Sequence, residues 1–533
     1  MRPFRQQCRL FPAVLCMVLA SPVLAQQPDS GQSLADVARK LRKDTSEEVK
    51  MTDADARRLF ESVDTICDFA AEDSGMPKHS SVKRRMVSKA DVQEFVQGNL
   101  AKEEYAQRFV QAEMSMKKLG FVPRGFNLKE FLTKSSGQEI AGYYDPETKT
   151  ISLLNWVPAD RQEPILAHEL THALQDQNFD LTKWMKAVRK SKGGTEDESA
   201  VARKAVVEGQ AMVVYLDYML KPLGRTLQDT PDIIYAMEDP AVKGMIDSQL
   251  IHDSPMVMRE AGAFAYKEGL IFEGELLQKG GKEMAFAGAF GRPPRNSHEV
   301  LHPETYIDHE KLPPLRIPDM KAVLSNEYEV YDAGSVGELD VRALLKQYGE
   351  RRIADNLSAE WQGGSYVLYW RKADPSATAP ASTADLALLY VSRWKTPQGA
   401  ARFAKFYAGA VPQRYHSATT VQVAACSGES CPVSTSQITT EEGPVIVEQW
   451  TDNAVIVSES FDVPTAGKLR TTMRSGASAA QAENVPQEEI GLRLLEIPAF
   501  QSFEDRIGDA LAAEIAKQFR ETSRQQGAIE QVQ

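Results

Sequence analysis

Cysteine, basic charge and long apolar runs are all in short supply in this 533-residue chain, and each shortage closes off a class of protein. Five cysteines are too few for a disulfide framework. Two of them, Cys8 and Cys16, lie in a segment expected to be removed, which leaves Cys67, Cys426 and Cys431. The pair in "CSGESC" is expected to close a short loop as a disulfide, with Cys67 free. No second cysteine or histidine pair stands near it to make a metal site. The net charge of −12 comes without a basic stripe, so nucleic acid is excluded as a partner. Apolar runs are short: after Leu10–Leu19 nothing approaches a membrane-spanning length, and no transmembrane segment is expected in the mature chain.

That one apolar run has its own reading. Arg2, Arg5 and Arg9 precede it and "SPVLAQQ" follows, with small Ala25 at a cleavage position, the pattern of a signal peptide over residues 1–25. The mature protein is expected to begin at Gln26 and to be exported, periplasmic or secreted. With 42% hydrophobic residues the chain can bury a large core, and its length suggests several domains.

Hydrophobic periodicity divides the mature chain into three parts. Residues 26–135 read as a helical N-terminal region, with period-3.6 patterns such as "ARRLFESVDTICDFA" ending near Gly120 and Pro123. In "QEIAGYYDPETKTISLLN" the period changes, and two short runs flank "DPETK", which predicts a β-hairpin of Ile140–Tyr144 against Thr150–Leu154. A helix follows, with Asp160 expected as its N-cap and Pro164 in its first turn, and a second long helix is expected over Glu198–Tyr218. The proline-rich passage "GRPPRNSHEVLHPETYIDHEKLPPLRIP" predicts an irregular crossing that ends the middle part, 136–318. Residues 319–533 alternate helix and strand and predict a separate α+β domain with a helical tail, "KADPSATAPASTAD" being a flexible hairpin loop.

Chemistry concentrates in "PILAHELTHALQDQ". On a helix, His168 and His172 project from one face a turn apart, a spacing that lets two imidazole nitrogens meet one zinc ion. Glu169 flanks that face, placed to act as general base toward a water activated by the metal. With eight histidines in the chain, chance alone would produce His-Glu-x-x-His in on the order of one such chain in a hundred. Leu166, Leu170, Ala173 and Leu174 form an apolar stripe on the opposite side, so the helix is expected to bury its leucines and turn its histidines toward a cleft. A catalytic zinc needs a third protein ligand. Glu208, in the apolar run "AVVEGQAMVVY", is the expected one, because a carboxylate in such a helix must be paired or liganding. The competing reading makes it an ion-pair partner of Arg203 or Lys204. Gly209 beside it would let two helices approach closely.

On these residues the sequence resembles the gluzincin zinc metallopeptidases, the thermolysin-like branch of the His-Glu-x-x-His enzymes, and exported bacterial proteins carrying "HELTHALQDQ" and a later E-G-x-A helix. "GYYDPETKTISL" before the motif and "HEVLHPETY" after it extend the resemblance over Gly137–Tyr306. It implies a zincin-like domain with a small β-sheet, an active-site helix and a glutamate-bearing helix. It also implies one Zn2+ per chain held by His168, His172 and Glu208, with Glu169 as base, and a peptide or protein substrate. Tyr143 and Tyr144 would lie on the strand along which substrate extends, although packing is their default role. Met212 stands where thermolysin-type enzymes often carry an aspartate that orients a histidine, so Asp176 is the alternative candidate for a supporting role. His298, His302 and Tyr306 are candidate oxyanion donors, each with a competing reading as a loop-packing residue. The reading that follows is an exported zinc metallopeptidase. Its competitors are a non-catalytic scaffold of the same fold that binds peptides or envelope partners, and a helical protein with a fortuitous motif.

Overall fold

Thr52 sets where the first helix begins: its hydroxyl accepts from the Asp55 N–H, and Asp53 and Asp55 place negative charge in the first turn. This helix, α1 (Asp53–Ser74), ends at Gly75, whose φ of 71° is left-handed. Its buried face, Leu59, Val63, Ile66, Cys67 and Ala70, recurs at helical spacing and packs on the helix that carries the His-Glu-x-x-His motif. The computed structural model describes residues 51–475, apart from 93, 95–102, 136–141, 188–195, 237–253, 314, 325, 350, 373–375, 425, 427 and 429–430. The expected signal peptide, the hairpin start at Ile140 and the helical tail beyond 475 lie outside the described residues.

The structure is α+β. In its first half a three-stranded sheet runs in the order β1 (Lys83–Val87), β3 (Thr150–Leu154), β2 (Tyr143–Asp145). The hairpin forms as expected, with Tyr144 opposite Ile151 and the Asp145 carboxylate accepting from the Glu147 and Thr148 N–H groups in the turn. β1 departs from expectation. "KRRMV" lies in a region whose periodicity reads as helix, yet it pairs in parallel with β3 from Lys83↔Thr150 to Val87↔Leu154. Of its five residues only Val87 is buried, so the strand owes its form to its partner and not to a pattern of its own.

The motif helix α2 (Ala159–Phe179) starts after Pro158, not at an Asp160 cap, and Pro164 sits in its second turn, not its first. Leu166, Leu170, Ala173 and Leu174 are fully buried, as their spacing predicts. Across them lies α3 (Glu196–Leu220), and against α3 lies α4 (Gly269–Glu283). π-helical turns flank α4 at Phe264–Glu268 and Met284–Gly288. α3 and α4 touch backbone to backbone: a Cβ built on Gly209 would stand 2.3 Å from the Gly269 carbonyl oxygen. The proline-rich passage is less irregular than expected, since it holds α5 (Ser297–Leu301) and a helical turn at Pro303–Ile307.

The second half carries α6 (Glu338–Tyr348), α7 (Pro397–Arg414) and α8 (Val463–Arg474) around a seven-stranded antiparallel sheet. Its order is β4 (Tyr328–Ser335), β5 (Trp361–Arg371), β6 (Leu386–Trp394), β10 (Ala454–Glu459), β9 (Gly443–Gln449), β8 (Ser434–Thr440), β7 (Ala418–Val421). β6 is almost wholly apolar because both its faces are covered. Leu388 and Tyr390 meet Phe403 and Tyr407 of α7, while Ala387, Leu389 and Val391 pack with Phe461 and Leu469 on the other side. The loop between β5 and β6 is the expected hairpin connection, and Cys426 and Cys431 form the expected disulfide with Cys67 free and buried. The helices Glu103–Leu119 and Leu128–Ser135 belong to this half in space: Phe109, Met116, Leu128 and Leu132 share a core with Val341, Trp361 and Phe403. Lys118, fully buried, donates to Glu442 Oε2 at 2.8 Å and to Ser460 Oγ at 2.8 Å.

Candidate metal centre

Two adjacent turns of α2 and the middle of α3 bring three donor atoms together. His168 Nε2 and His172 Nε2 are 3.1 Å apart, and Glu208 Oε2 lies 3.3 Å from each. Ligand atoms about 2.0–2.1 Å from a tetrahedral zinc ion stand about 3.3–3.4 Å from one another, so the triangle has the size of one face of that coordination shell. Glu208 Oε2 is buried and makes no hydrogen bond of ordinary geometry. Two imidazole nitrogens and a carboxylate oxygen converge within 3.3 Å of one another, a donor set arranged for a cation.

Electrostatics agree with the geometry. Burial on its own would push a carboxyl up, as at Glu273 on α4, which is fully buried and raised well above the ordinary range. Burial acts on Glu208 in the same sense and is the largest single influence, but the charge and hydrogen bonding of His172 and His168 together outweigh it and hold the carboxyl well below its usual range. His172 is the reciprocal case: burial lowers it, Glu208 raises it more, and it ends near 9. Burial prevails at His168, which is lowered. Glu208 therefore favours its charged form, the form in which a carboxylate binds a cation.

What orients His172 is Gln175. Its Oε1 lies 2.9 Å from His172 Nδ1, while its Nε2 donates to the Val207 carbonyl and to Gln210 Oε1, each at 3.0 Å. Those two donations leave the Gln175 oxygen to face the ring, so Nδ1 carries a hydrogen and the Nε2 lone pair points into the triangle. Gln210 in turn donates to the Ala285 and Phe286 carbonyls, in the π-helical turn after α4. On the other flank, the Tyr266 ring, in the π-helical turn before α4, lies nearly parallel to His168 at 6.0 Å. Such turns recur at functional sites because they free carbonyls and re-aim side chains.

Glu169 is half-buried beside the triangle, and its Oε2 accepts the Tyr144 backbone N–H at 2.8 Å. The expected supporting role of Asp176 is corrected: its carboxylate accepts from Tyr144 Oη at 2.7 Å, Lys149 Nζ at 2.5 Å and the Leu181 N–H, none of them at the triangle. Asp176 therefore ties β2 and the hairpin turn to α2. Tyr144 serves the site through its backbone, and Tyr143 Oη accepts from Arg85 Nη2 of β1. The Arg203 reading of Glu208 is also displaced, since Arg203 donates to the Trp184 carbonyl and stacks on its ring.

The candidate oxyanion donors lie elsewhere. Tyr306 Oη donates to the Arg292 carbonyl beneath the Arg292 guanidinium. His298 and His302 face Glu338, at 2.5 Å from Nδ1 of the first and 3.1 Å from Nε2 of the second. Ser297, their neighbour, is bonded to Glu198. Glu198 lies ten residues before Glu208 on α3, a rise of about 15 Å. Tyr306 thus packs against its own loop, and the two histidines form a cluster with Glu338.

Two His/His/Glu groups among the described residues can hold a metal ion, then: His168, His172, Glu208 and His298, His302, Glu338. A family model described as a domain of unknown function (DUF8575) matches residues 326–472. That span is the seven-stranded sheet with α6, α7 and most of α8, so it includes Glu338 and leaves the first triangle outside. No curated protein and no solved structure matches the chain. Sequence reasoning missed Gln175, Gln210, Tyr266 and Glu338. "HEVLH" at 298–302 repeats the His-Glu-x-x-His pattern and could have drawn attention to the second group.

Proposed function

We propose that this protein is a zinc-dependent hydrolase of peptide bonds, of the gluzincin kind, with His168, His172 and Glu208 as the residues that would hold the ion. The reading rests on one observation, the triangle of Nε2, Nε2 and Oε2 at 3.1, 3.3 and 3.3 Å. A bound zinc ion supplies a charge that polarises a carbonyl and makes a water molecule more acidic. The chain's own residues do the rest. Glu169 takes a proton from the attacking water and delivers it to the leaving amine nitrogen. Gln175 keeps His172 in one tautomer. Among the described residues β2 is an edge of its sheet, with only β3 beside it, so an extended peptide can pair along it next to Glu169. An intact, half-buried glutamate beside the donor set favours hydrolysis over a binding scaffold. The Cys426–Cys431 disulfide suits export to an oxidising compartment.

The test is zinc content of the purified chain together with cleavage of a denatured protein substrate by wild type, Glu169→Gln and Glu208→Ala. Zinc retained and cleavage lost in Glu169→Gln is the expected result. Stoichiometric zinc with no cleavage of any peptide pool would transfer the reading to the peptide-binding scaffold, and full zinc retention at the first group in Glu208→Ala would remove the third ligand.

A further inference from the structure

We propose that His298, His302 and Glu338 form a second zinc site, structural in kind, that joins the middle part of the chain to the C-terminal sheet domain. The three residues come from both sides of that junction. His298 lies in α5, His302 is the residue on which α5 ends, and Glu338 is the first residue of α6. Glu338 is buried, its side chain 3% exposed, and its two oxygens face both imidazoles: Oε2 lies 2.5 Å from His298 Nδ1, while His302 Nε2 is 3.1 Å from each oxygen. A nitrogen equidistant from two carboxylate oxygens has one hydrogen to share between them. Ser358 Oγ also donates to Glu338 Oε1 at 3.4 Å; a cation would replace the hydrogens shared between the imidazoles and the carboxylate, with the ligand atoms moving apart to about 3.3 Å.

The surroundings are built for the donors. Ser297 Oγ donates to Glu198 Oε2 at 2.7 Å and accepts from the Leu339 N–H at 3.2 Å, which holds the start of α5 against the start of α6. A Cβ at 337 would stand 1.9 Å from Glu198 Oε1 and would displace that carboxylate from Ser297. The ligands are thus held by contacts that do not involve them, the condition for a preformed site. Charge favours a cation. Glu338 and Glu304 are the carboxylates facing the histidines, Glu304 at 3.8 Å from His302 Nδ1. Arg342, a cation whose charge reaches His302, is already paired with Glu260 at 3.0 Å and Glu268 at 3.1 Å. His302, its side chain 26% exposed, is the way in for the ion.

The glutamate between these two histidines is not free to act as a base. Glu299 stands where Glu169 stands in the first motif, but it is buried and Arg295 binds both its oxygens. A metal here therefore holds two parts of the molecule together and does not activate water.

The full chain is purified with His172→Ala and Glu208→Gln to disable the first group, stripped with a chelator and titrated with zinc chloride. Uptake of about one zinc per chain, with a rise in Tm, is expected. Adding Glu338→Gln, nearly isosteric, should abolish that uptake, and in the otherwise wild-type chain it should lower zinc by about one per molecule. No zinc uptake by the folded His172→Ala, Glu208→Gln protein would overturn the site and leave a hydrogen-bonded clasp. The site is overturned equally if Glu338→Gln, folded by circular dichroism, binds as much zinc as its parent. Because the titration is made with the first group disabled, its failure leaves the peptidase reading untouched.

Discussion

His168–His172 and His298–His302 carry the same pattern of histidine and glutamate, and each recruits a further glutamate from a distant helix. The first lies inside a 21-residue helix, so both imidazoles project from one face and the intervening glutamate remains half-exposed at its edge. The second lies on a five-residue helix that stops at His302, where φ is −131° and Pro303 follows. There the two histidines reach Glu338 through different nitrogens, and the intervening glutamate is buried under an arginine. A spacing rule guarantees a shared helix face only if the helix continues through the second histidine. On the proposals made above, what separates the reactive group from the structural one is whether the middle glutamate stays half-exposed or is buried against a cation.

Replacing that glutamate in each motif breaks the comparison most directly. Glu169→Gln should lower the cleavage rate by about 10²–10⁴-fold, the usual range for a lost general base, with zinc content unchanged. Glu299→Gln should leave the rate within a few-fold and lower Tm, because Arg295 loses a charged partner. Equal rate losses in the two variants would erase the distinction.

A buried carboxyl with no imidazole beside it provides the contrast for both groups. Burial and the neighbouring Asp73 push Asp217, on α3, up to about 8. Its unfolded pKa is about 3.9. The folded state keeps a proton that the unfolded state releases, so stability is full below about pH 4 and is lost as pH rises toward 8. Asp217→Asn should remove this loss and be more stable than wild type at pH 8, by on the order of 2–4 kcal/mol, with the advantage fading by pH 4. Denaturant melts across that range measure it, and a pH-independent difference would show that Asp217 does not titrate as described.

Two smaller effects sharpen the first site alone. Gln175→Leu should weaken zinc binding about 10–100-fold, read by competition with a chromophoric chelator, because His172 loses the acceptor at Nδ1. Gly209→Ala should cost about 1–3 kcal/mol by forcing α3 away from the Gly269 carbonyl, measured by denaturant unfolding. An unchanged Cm there would mean that the helices can separate freely.

Much of the fold is legible locally. The leucine stripe of α2, the turn at Asp145, the strands "LALLYVSRW" and "AVIVSE" and the helix after Thr396 follow from periodicity, turn residues and caps that act within a few positions. β1 is not legible in this way, because its residues show no alternation and its partner lies 67 positions away at Thr150. Asp176 departs from expectation for a related reason. One turn from His172 it is near enough to help, but its carboxylate points at Tyr144 and Lys149, and Gln175, one residue earlier, faces the ring instead.

By itself the sequence determined which helix carries the candidate chemistry, since the two histidines and the glutamate between them are placed by helical geometry alone. It also pointed to Glu208, because a charge in an apolar helix must find a partner. Tertiary structure decided the rest: that α1 packs against the motif helix while the helices at 103–135 pack on the C-terminal sheet, that the Val207 carbonyl and Gln210 turn Gln175 toward His172, and that Glu338 reaches His298 and His302 from the other half of the chain. Each of these is a contact across tens to hundreds of residues. No local preference encodes such a contact, and only the joint burial of distant apolar faces brings the groups within reach.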